Sequence, residues 1–226
     1  MVILANAIQA QAVIFDFDGI IVDTEPLHYR AFQRILEPLG LGFAWAEYVE
    51  SYMGFDDRDA FLEAFKAHGQ LIRPDELSTL IATKADIFQE VIRDGVKAYP
   101  GVIELIKSLH DSDVPMAICS GALRSDIDPI LATLGIASFF DIIVSADDVS
   151  KSKPDPECYQ FAYDKLCAHW PNSQISSNET VAIEDTPAGI SAASHAGLKV
   201  IAVTNSYPKE LLGRATFITD SLANLL

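Results

Sequence analysis

The sequence is short of cysteine, of basic residues and of long apolar runs, and each shortage removes a class of function. Cysteine occurs at three positions only, Cys119, Cys158 and Cys167. The odd number and the lack of a CxxC spacing argue against a disulfide framework and against a zinc site. Cys119 closes an apolar run and reads as a core residue. The five histidines, His28, His68, His110, His169 and His195, form no HxxxH or HExxH pair, and all but His28 read as surface or satisfied core residues. No stretch approaches the roughly 18 consecutive apolar residues of a membrane span. The opening MVILANAIQAQ carries a small-x-small triplet at Ala5 to Ala7, but it lacks a basic region and its apolar part is too short for a signal peptide. A cytoplasmic protein with no membrane partner is expected. Lys and Arg number 16 against 32 Asp and Glu, a net charge of −16. Nucleic acid is excluded as a partner, because a polyanion binder needs a basic patch to displace counterions. The same field opposes a phosphorylated metabolite, so a phosphate site here has to bring its own positive charge.

What is present centres on Val13 to Glu25, VIFDFDGIIVDTE. Val13, Ile14 and Phe15 suit a buried parallel strand, and Asp16, Asp18 and Gly19 follow at its end. Loops beyond the carboxyl ends of such strands are where ligands bind in open α/β sheets. Two carboxylates one residue apart repel each other unless a cation or a shared proton compensates them, so the pair reads as a metal site, an acid/base site or both. The alternative is a solvated Asp-rich turn with Gly19 supplying the bend.

At 226 residues, half of them hydrophobic, the chain can bury a sizeable core as one large domain or as a core with a smaller companion. After Pro26 the pattern turns helical to about Asp94. Leu27, Ala31, Phe32, Ile35, Leu36 and Leu39 recur at helical spacing before Gly40. Ala60, Phe61, Ala64 and Phe65 form a second stripe, and a third runs from Pro74 through Leu77, Leu80, Ile81, Ile87, Phe88, Val91 and Ile92. From Val102 helices alternate with the buried runs Val114 to Cys119, Ile142 to Ser145, Val181 to Ile183, Lys199 to Val203 and Thr216 to Ile218. The expected fold is a doubly wound α/β parallel sheet, Rossmann-like, with an inserted helical cap. The expected division is 1–25 with 97–226 for the core and 26–96 for the cap, which acts as a lid because it follows the acidic loop.

Read together, the strand ends carry a chemistry. The first ends in Asp16 and Asp18, another in Ser120, another in Glu184 and Asp185, and the loop after Ile142 to Ser145 carries Lys153. Phosphoryl transfer needs an in-line nucleophile, compensation of charge on the phosphoryl oxygens, and a proton for the leaving oxygen. A carboxylate can be the nucleophile when a cation screens it. Mg²⁺ fits, being a hard ion that takes oxygen ligands: Asp16, the Asp18 carbonyl and Asp185 supply them, with Glu184 in or near the first shell. Lys153 provides the fixed positive charge. Ser120, with the N–H groups of Gly121 and Ala122, holds phosphoryl oxygens near a helix start.

The string DFDGIIVDTE resembles the first motif of the haloacid dehalogenase superfamily, most closely its branch of phosphoglycolate phosphatase-like enzymes and β-phosphoglucomutase. Ser120, Lys153 and Glu184-Asp185 match the later motifs in order, so the resemblance covers essentially the whole chain. It implies that Asp16 attacks phosphorus to form an aspartyl phosphate while Asp18 protonates the leaving group and later activates water. Thr24 then falls at the family's hinge, and His28 where relatives place a cap residue facing the second aspartate. The second acid favours phosphate chemistry over carbon–halogen cleavage. Mutases of this branch carry Ser-x-Ser-x-Asn where this chain has Ser120-Gly-Ala-Leu-Arg124, and a phosphate-binding Arg that Arg58, after Gly54, misses by one position. Arg124, Arg58 and Lys84 are candidates to bind a distal acidic group of the substrate, or else solvated surface charges. The expected function is Mg²⁺-dependent hydrolysis of a small phosphorylated metabolite by a monomer or weak homodimer. A β-phosphoglucomutase is the competitor, and a silent metabolite-binding protein the remote alternative.

Overall fold

In the computed structural model, residues 2–4, 7–53, 55 and 57–225 are described. Ala5 of the opening triplet and Gly54, invoked beside Arg58, lie outside them. The chain opens on a hairpin, β1 (Val2–Leu4) and β2 (Ile8–Ala10), paired antiparallel as a sheet of its own. One residue later comes β3 (Ala12–Phe15), all four of whose residues are buried.

Two compact units follow from the way the chain packs: Met1–Asp23 with Lys97–Leu226, and Thr24–Val96. The second unit is helical, with α1 (Glu25–Leu36), α2 (Trp45–Ser51), α3 (Asp57–Ala67) and α4 (Pro74–Arg93). Its apolar stripes converge on Phe32, Leu36, Tyr48, Phe61, Ala64 and Leu77. The helix α2 has no counterpart in the sequence reading, because seven residues give too few turns for a helical period to stand out. Arg30 and Arg34 of α1 reach Asp94, just after α4, and Glu90 within it at 2.8 to 3.1 Å, but these pairs are exposed and contribute little.

The α/β unit resumes with α5 (Val102–Asp111) and continues through β4 (Met116–Cys119), α6 (Arg124–Thr133), β5 (Ile142–Val144), α7 (Glu157–His169), β6 (Thr180–Glu184), α8 (Pro187–His195), β7 (Lys199–Val203) and β8 (Phe217–Thr219). Within this unit the departing and returning segments pair, Val22 with Ala98 as a bridge and the Tyr99 N–H with the Ile21 carbonyl at 3.1 Å. The six main strands are all parallel, in the order β5-β4-β3-β6-β7-β8. The chain winds outward from β3 to β4 and β5, then returns to the other side, so the order reverses at β3. A crevice opens at such a reversal. Continuous apolar runs such as Val181 to Ile183 are buried on both faces, as a covered parallel sheet requires.

Register decides what meets at the crevice. Phe15 is level with Ile118 on one side and Ile183 on the other. Asp16, Cys119 and Glu184 therefore leave the sheet side by side. Beneath them, Ile14, Ala117, Ala182, Tyr159, Leu166 and Ile190 form the core, each large apolar side chain contributing about 1.5–3 kcal/mol on full burial.

The structure corrects the cysteine reading. Cys119 is buried as expected, but it is joined to Cys158 by a disulfide, with Cα atoms 6.1 Å apart. The two residues lie 39 apart in sequence and meet only because α7 packs on β4, which no spacing rule reports. Cys167 is a free, half-buried thiol.

Candidate active site

The site is built from the turn after β3. The Asp16 N–H extends the ladder to the Ile183 carbonyl at 2.9 Å, and then the chain folds back as Ile21 and Val22 donate to the Phe17 carbonyl at 2.8 and 3.2 Å. The apolar Phe17 ring is fully buried and pins the turn. Gly19 stands at φ +84, and a Cβ there would lie 1.9 Å from Asp185 Oδ2. Only glycine satisfies both the left-handed backbone and that approach.

Lys153, from the loop after β5, reaches into this turn. Its ammonium donates to Asp16 Oδ1 at 2.5 Å, to Glu184 Oε1 at 2.8 Å and to the Cys119 carbonyl at 3.1 Å, using all three of its donors. The side chain is only 14% exposed, so the charge acts where water screens it little. The Tyr159 ring lies 4.9 Å from the ammonium, and its hydroxyl donates to Glu184 Oε1 at 2.8 Å.

Glu184 and Asp185, adjacent in sequence, have different environments. Glu184 is fully buried, and its Oε2 accepts from the Asp185 and Thr186 N–H groups at 3.1 and 3.2 Å and from the Thr186 hydroxyl at 3.1 Å. These donors lie at the start of α8, where a negative charge is favoured. Gly189 lets that helix close on the carboxylate, since a Cβ there would sit 1.8 Å from Glu184 Oε1. Asp185 is equally buried, but its Oδ1 has no hydrogen-bond partner among the described residues. An orphaned carboxylate oxygen in the interior is costly unless something absent from the protein itself meets it.

Carboxylate oxygens of Asp16, Glu184 and Asp185 lie within 4.8 Å of one another. Burial pushes the Asp16 carboxyl well up; Lys153 pulls it down, and Glu184 and Asp185 push it up further. Burial likewise raises Asp185, to about 7, with the Ser206 hydroxyl opposing and Glu184 adding to the rise. Burial alone would lower the Lys153 ammonium, but Asp16 and Glu184 outweigh it and hold it above the ordinary range. One lysine does not neutralise three crowded acids. A divalent cation meeting the free Asp185 oxygen and Asp16 does, and an all-oxygen donor set suits a hard ion.

The remaining expected residues fall as follows. Asp18 is half-buried on the turn; its carboxyl is outside the trio, yet near enough to push Asp185 upward. Ser120 is buried at the end of β4, and its hydroxyl accepts from the Ala122 N–H at 2.9 Å, so that N–H is already engaged. Gly121 is exposed beside it. Arg124 begins α6 and pairs with Asp128 at 2.6 Å. His28, Arg58 and Lys84 belong to the helical unit. Arg58 is exposed. Lys84 is not a solvated charge: it is buried, pairs with Asp57 at 2.7 Å and donates to His28 Nδ1 at 2.7 Å. His28 stacks on Phe88 at 4.3 Å, and burial together with the Lys84 charge pushes its imidazole down to about 3.

Three residues at the site escaped the sequence reading: Tyr159, Asn205 and Ser206. Asn205 Nδ2 donates to the Gly19 carbonyl at 2.6 Å, and the Ser206 hydroxyl donates to Asp185 Oδ2. Asn205 and Ser206 follow β7, so the strand-end rule that singled out Ser120 applies to them too. Tyr159 carries no such signal, because its apolar helical position looks like any core tyrosine.

Comparison with known proteins agrees with this geometry. Residues 13–203 match the family of haloacid dehalogenase-like hydrolases. The chain is similar to validoxylamine A 7′-phosphate phosphatase of Streptomyces hygroscopicus subsp. limoneus, 28% identical over 221 residues and 95% of each chain. It is also similar to fructose-1-phosphate phosphatase YqaB of Escherichia coli, 30% identical over 192 residues, 84% of this chain and 95% of that one. The structure of CbbY from Rhodobacter sphaeroides in complex with phosphate superimposes with a TM-score of 0.79 at 25% identity, covering 95% of both chains. No helix among the described residues is long and apolar enough to cross a membrane.

Proposed function

The chain belongs to the haloacid dehalogenase-like hydrolase family, and on that premise we propose that it is a Mg²⁺-dependent phosphatase of a small phosphorylated metabolite of the sugar phosphate or phosphoglycolate type. One observation carries the reading: a buried lysine spans Asp16 and Glu184 beside a carboxylate whose Oδ1 has no partner among the described residues. Two of the relatives are named as phosphatases, one of validoxylamine A 7′-phosphate and one of fructose 1-phosphate. Asp16, Asp185 and the Asp18 carbonyl would hold the ion, which when bound would offset the negative charge of the carboxylates and the phosphoryl group. Glu184 is already filled by donors from Lys153, Tyr159 and the start of α8, so its task is to hold Lys153.

An Asp16 oxygen attacks phosphorus as the bond from phosphorus to the substrate oxygen breaks, and Asp18 gives its proton to that leaving oxygen. Asp18 then takes a proton from water. The water oxygen bonds to phosphorus, inorganic phosphate leaves, and the Asp16 carboxylate returns. Lys153 holds Asp16 Oδ1 in place throughout and stabilises charge as it builds on the phosphoryl oxygens. Ser120 and Gly121 steady those oxygens. Substrate choice is assigned to the helical unit as a cap, with His28, Arg58 and Lys84 as the residues to test, and to Arg124 in the core. A mutase is disfavoured, because Arg124 replaces the asparagine of the mutase pattern and is paired with Asp128.

The test is phosphate release from sugar phosphates, phosphoglycolate and nucleotides, with Mg²⁺ or with EDTA. Release that requires Mg²⁺ is expected for at least one sugar phosphate or phosphoglycolate. No release from any substrate sinks the reading, and isomerisation of β-glucose 1-phosphate without release would favour the mutase.

Proton linkage supplies a second prediction. In the metal-free protein Asp185 titrates near 7 rather than near 4, so its contribution to folding is present at low pH and is lost as pH rises through about 7. An ion must expel that proton. Mg²⁺ affinity is therefore expected to fall by up to about tenfold per pH unit below 7 and to level off above it. Calorimetry at pH 6 in two buffers of different ionisation heat should register close to one proton released per ion from Asp185. An affinity flat from pH 5.5 to 8.5 would contradict this.

A further inference from the structure

The loop after β7 holds two side chains that the phosphatase chemistry does not use, one closing on the turn after β3 and the other on Asp185 after β6. The Asn205 amide donates to the Gly19 carbonyl at 2.6 Å over 186 residues of sequence. The next residue, Ser206, donates its hydroxyl to Asp185 Oδ2. The loop itself is fixed at its root, where the Thr204 N–H donates to the Thr219 carbonyl of β8 at 3.1 Å.

We propose that Asn205 and Ser206 are positioning residues for the metal: a two-pronged clamp that turns the free oxygen of Asp185 toward the ion. Asp185 has two carboxylate oxygens, of which Oδ2 is taken by Ser206 and faces the Gly19 backbone. That fixes the carboxyl plane and leaves Oδ1, buried and unpartnered among the described residues, as the atom offered. Asn205 holds the Gly19 peptide against which Oδ2 is seated. Without it, the carboxyl could rotate and the glycine turn could shift. A group that orients a ligand in this way typically changes metal affinity by about 10–100-fold when removed. The clamp rests on the phosphatase reading only for its metal site, not for the reaction.

The experiment measures Mn²⁺ binding by electron paramagnetic resonance of the free ion. It uses the full chain as wild type, Ser206→Ala, Ser206→Thr and Asn205→Ala, with phosphate release measured in parallel. Ser206 is exposed, so loss of one hydroxyl opens no cavity; metal-free Ser206→Ala should keep one cooperative thermal transition, at a somewhat lower temperature because Asp185 Oδ2 loses its donor. Ser206→Ala is expected to bind Mn²⁺ about 10–100-fold more weakly, Asn205→Ala to be weakened in the same direction, and Ser206→Thr to recover most of the loss. Binding by Ser206→Ala within about twofold of wild type overturns the clamp while leaving the phosphatase reading standing. Equal weakening in Ser206→Thr and Ser206→Ala also overturns it, since the hydroxyl would then not be the cause. A wild type that binds Mn²⁺ tightly but releases no phosphate removes the phosphatase reading and leaves the clamp to be judged by the variants. A wild type that binds no Mn²⁺ removes the clamp outright.

Discussion

Replacing Asp16 by asparagine is expected to lower phosphate release by roughly 10⁴-fold or more while leaving the fold intact, since loss of a covalent nucleophile is among the most damaging changes an enzyme can suffer. The amide has the carboxylate's shape but no negative oxygen to attack phosphorus. Its effect on stability should have the opposite sign from its effect on activity. Asp16 is buried among Glu184 and Asp185, and the crowding and burial that push its carboxyl well above the ordinary range are a cost of the metal-free native state. Asparagine removes one of the three acids, and Lys153 still has Glu184 at 2.8 Å and the Cys119 carbonyl at 3.1 Å. The metal-free variant should therefore unfold at the same temperature as the wild type or higher. Phosphate release and thermal unfolding in EDTA, measured side by side, check both halves. Turnover within about tenfold of wild type would remove Asp16 from the reaction.

Replacing Lys153 by methionine is expected to damage activity and stability together. Methionine keeps much of the stem's volume but deletes the ammonium that bridges Asp16 and Glu184. Breaking a buried pair by removing one partner costs roughly 3–5 kcal/mol, because the other charge is left uncompensated. Here two carboxylates lose their partner, and the Tyr159 ring loses the cation 4.9 Å away. With the lysine gone, the Asp16 and Asp185 carboxyls lose a charge that pulls them down, so the metal-free variant should lose stability as pH rises through neutrality more steeply than the wild type does. Mg²⁺ should restore part of the stability. It should not restore turnover, which we expect to be reduced by about 10³-fold, the scale of losing one preorganised charge at a phosphoryl group. Denaturant unfolding at pH 6 and 8, with and without Mg²⁺, reads the first effect. A variant as stable as the wild type in EDTA at pH 8 would mean that Glu184 and Asp16 do not need the lysine's charge.

The two substitutions mark the limit of what could be read without a structure. Apolar runs alternating with helical stripes imply a parallel sheet, because strands covered on both faces have no polar side to show. Ends of those runs and the loops beyond them single out Asp16, Asp18, Ser120, Lys153, Glu184 and Asp185, since loops at one edge of such a sheet converge. Asn205 and Ser206 were equally open to that rule but were passed over, as asparagine and serine after a strand look like an ordinary turn. The Cys119–Cys158 bridge, the burial of Lys84 between Asp57 and His28, and the short helix α2 left no trace in spacing.

By itself, then, the sequence determined the layered fold and which residue types stand at the strand ends, because both follow from local period and from the burial of apolar runs. Only the tertiary structure decided the surroundings of each group. Glu184 and Asp185 are chemically alike and adjacent in sequence. They differ because Tyr159 and Lys153 converge on one from distant elements, joined by Thr186 at the start of α8, while Gly19 and Ser206 close on a single oxygen of the other and leave its second oxygen without a partner among the described residues. Hydrogen-bond satisfaction and local field are properties of the packed neighbourhood, and no sequence window contains residues 19, 153, 159, 184 and 206 together.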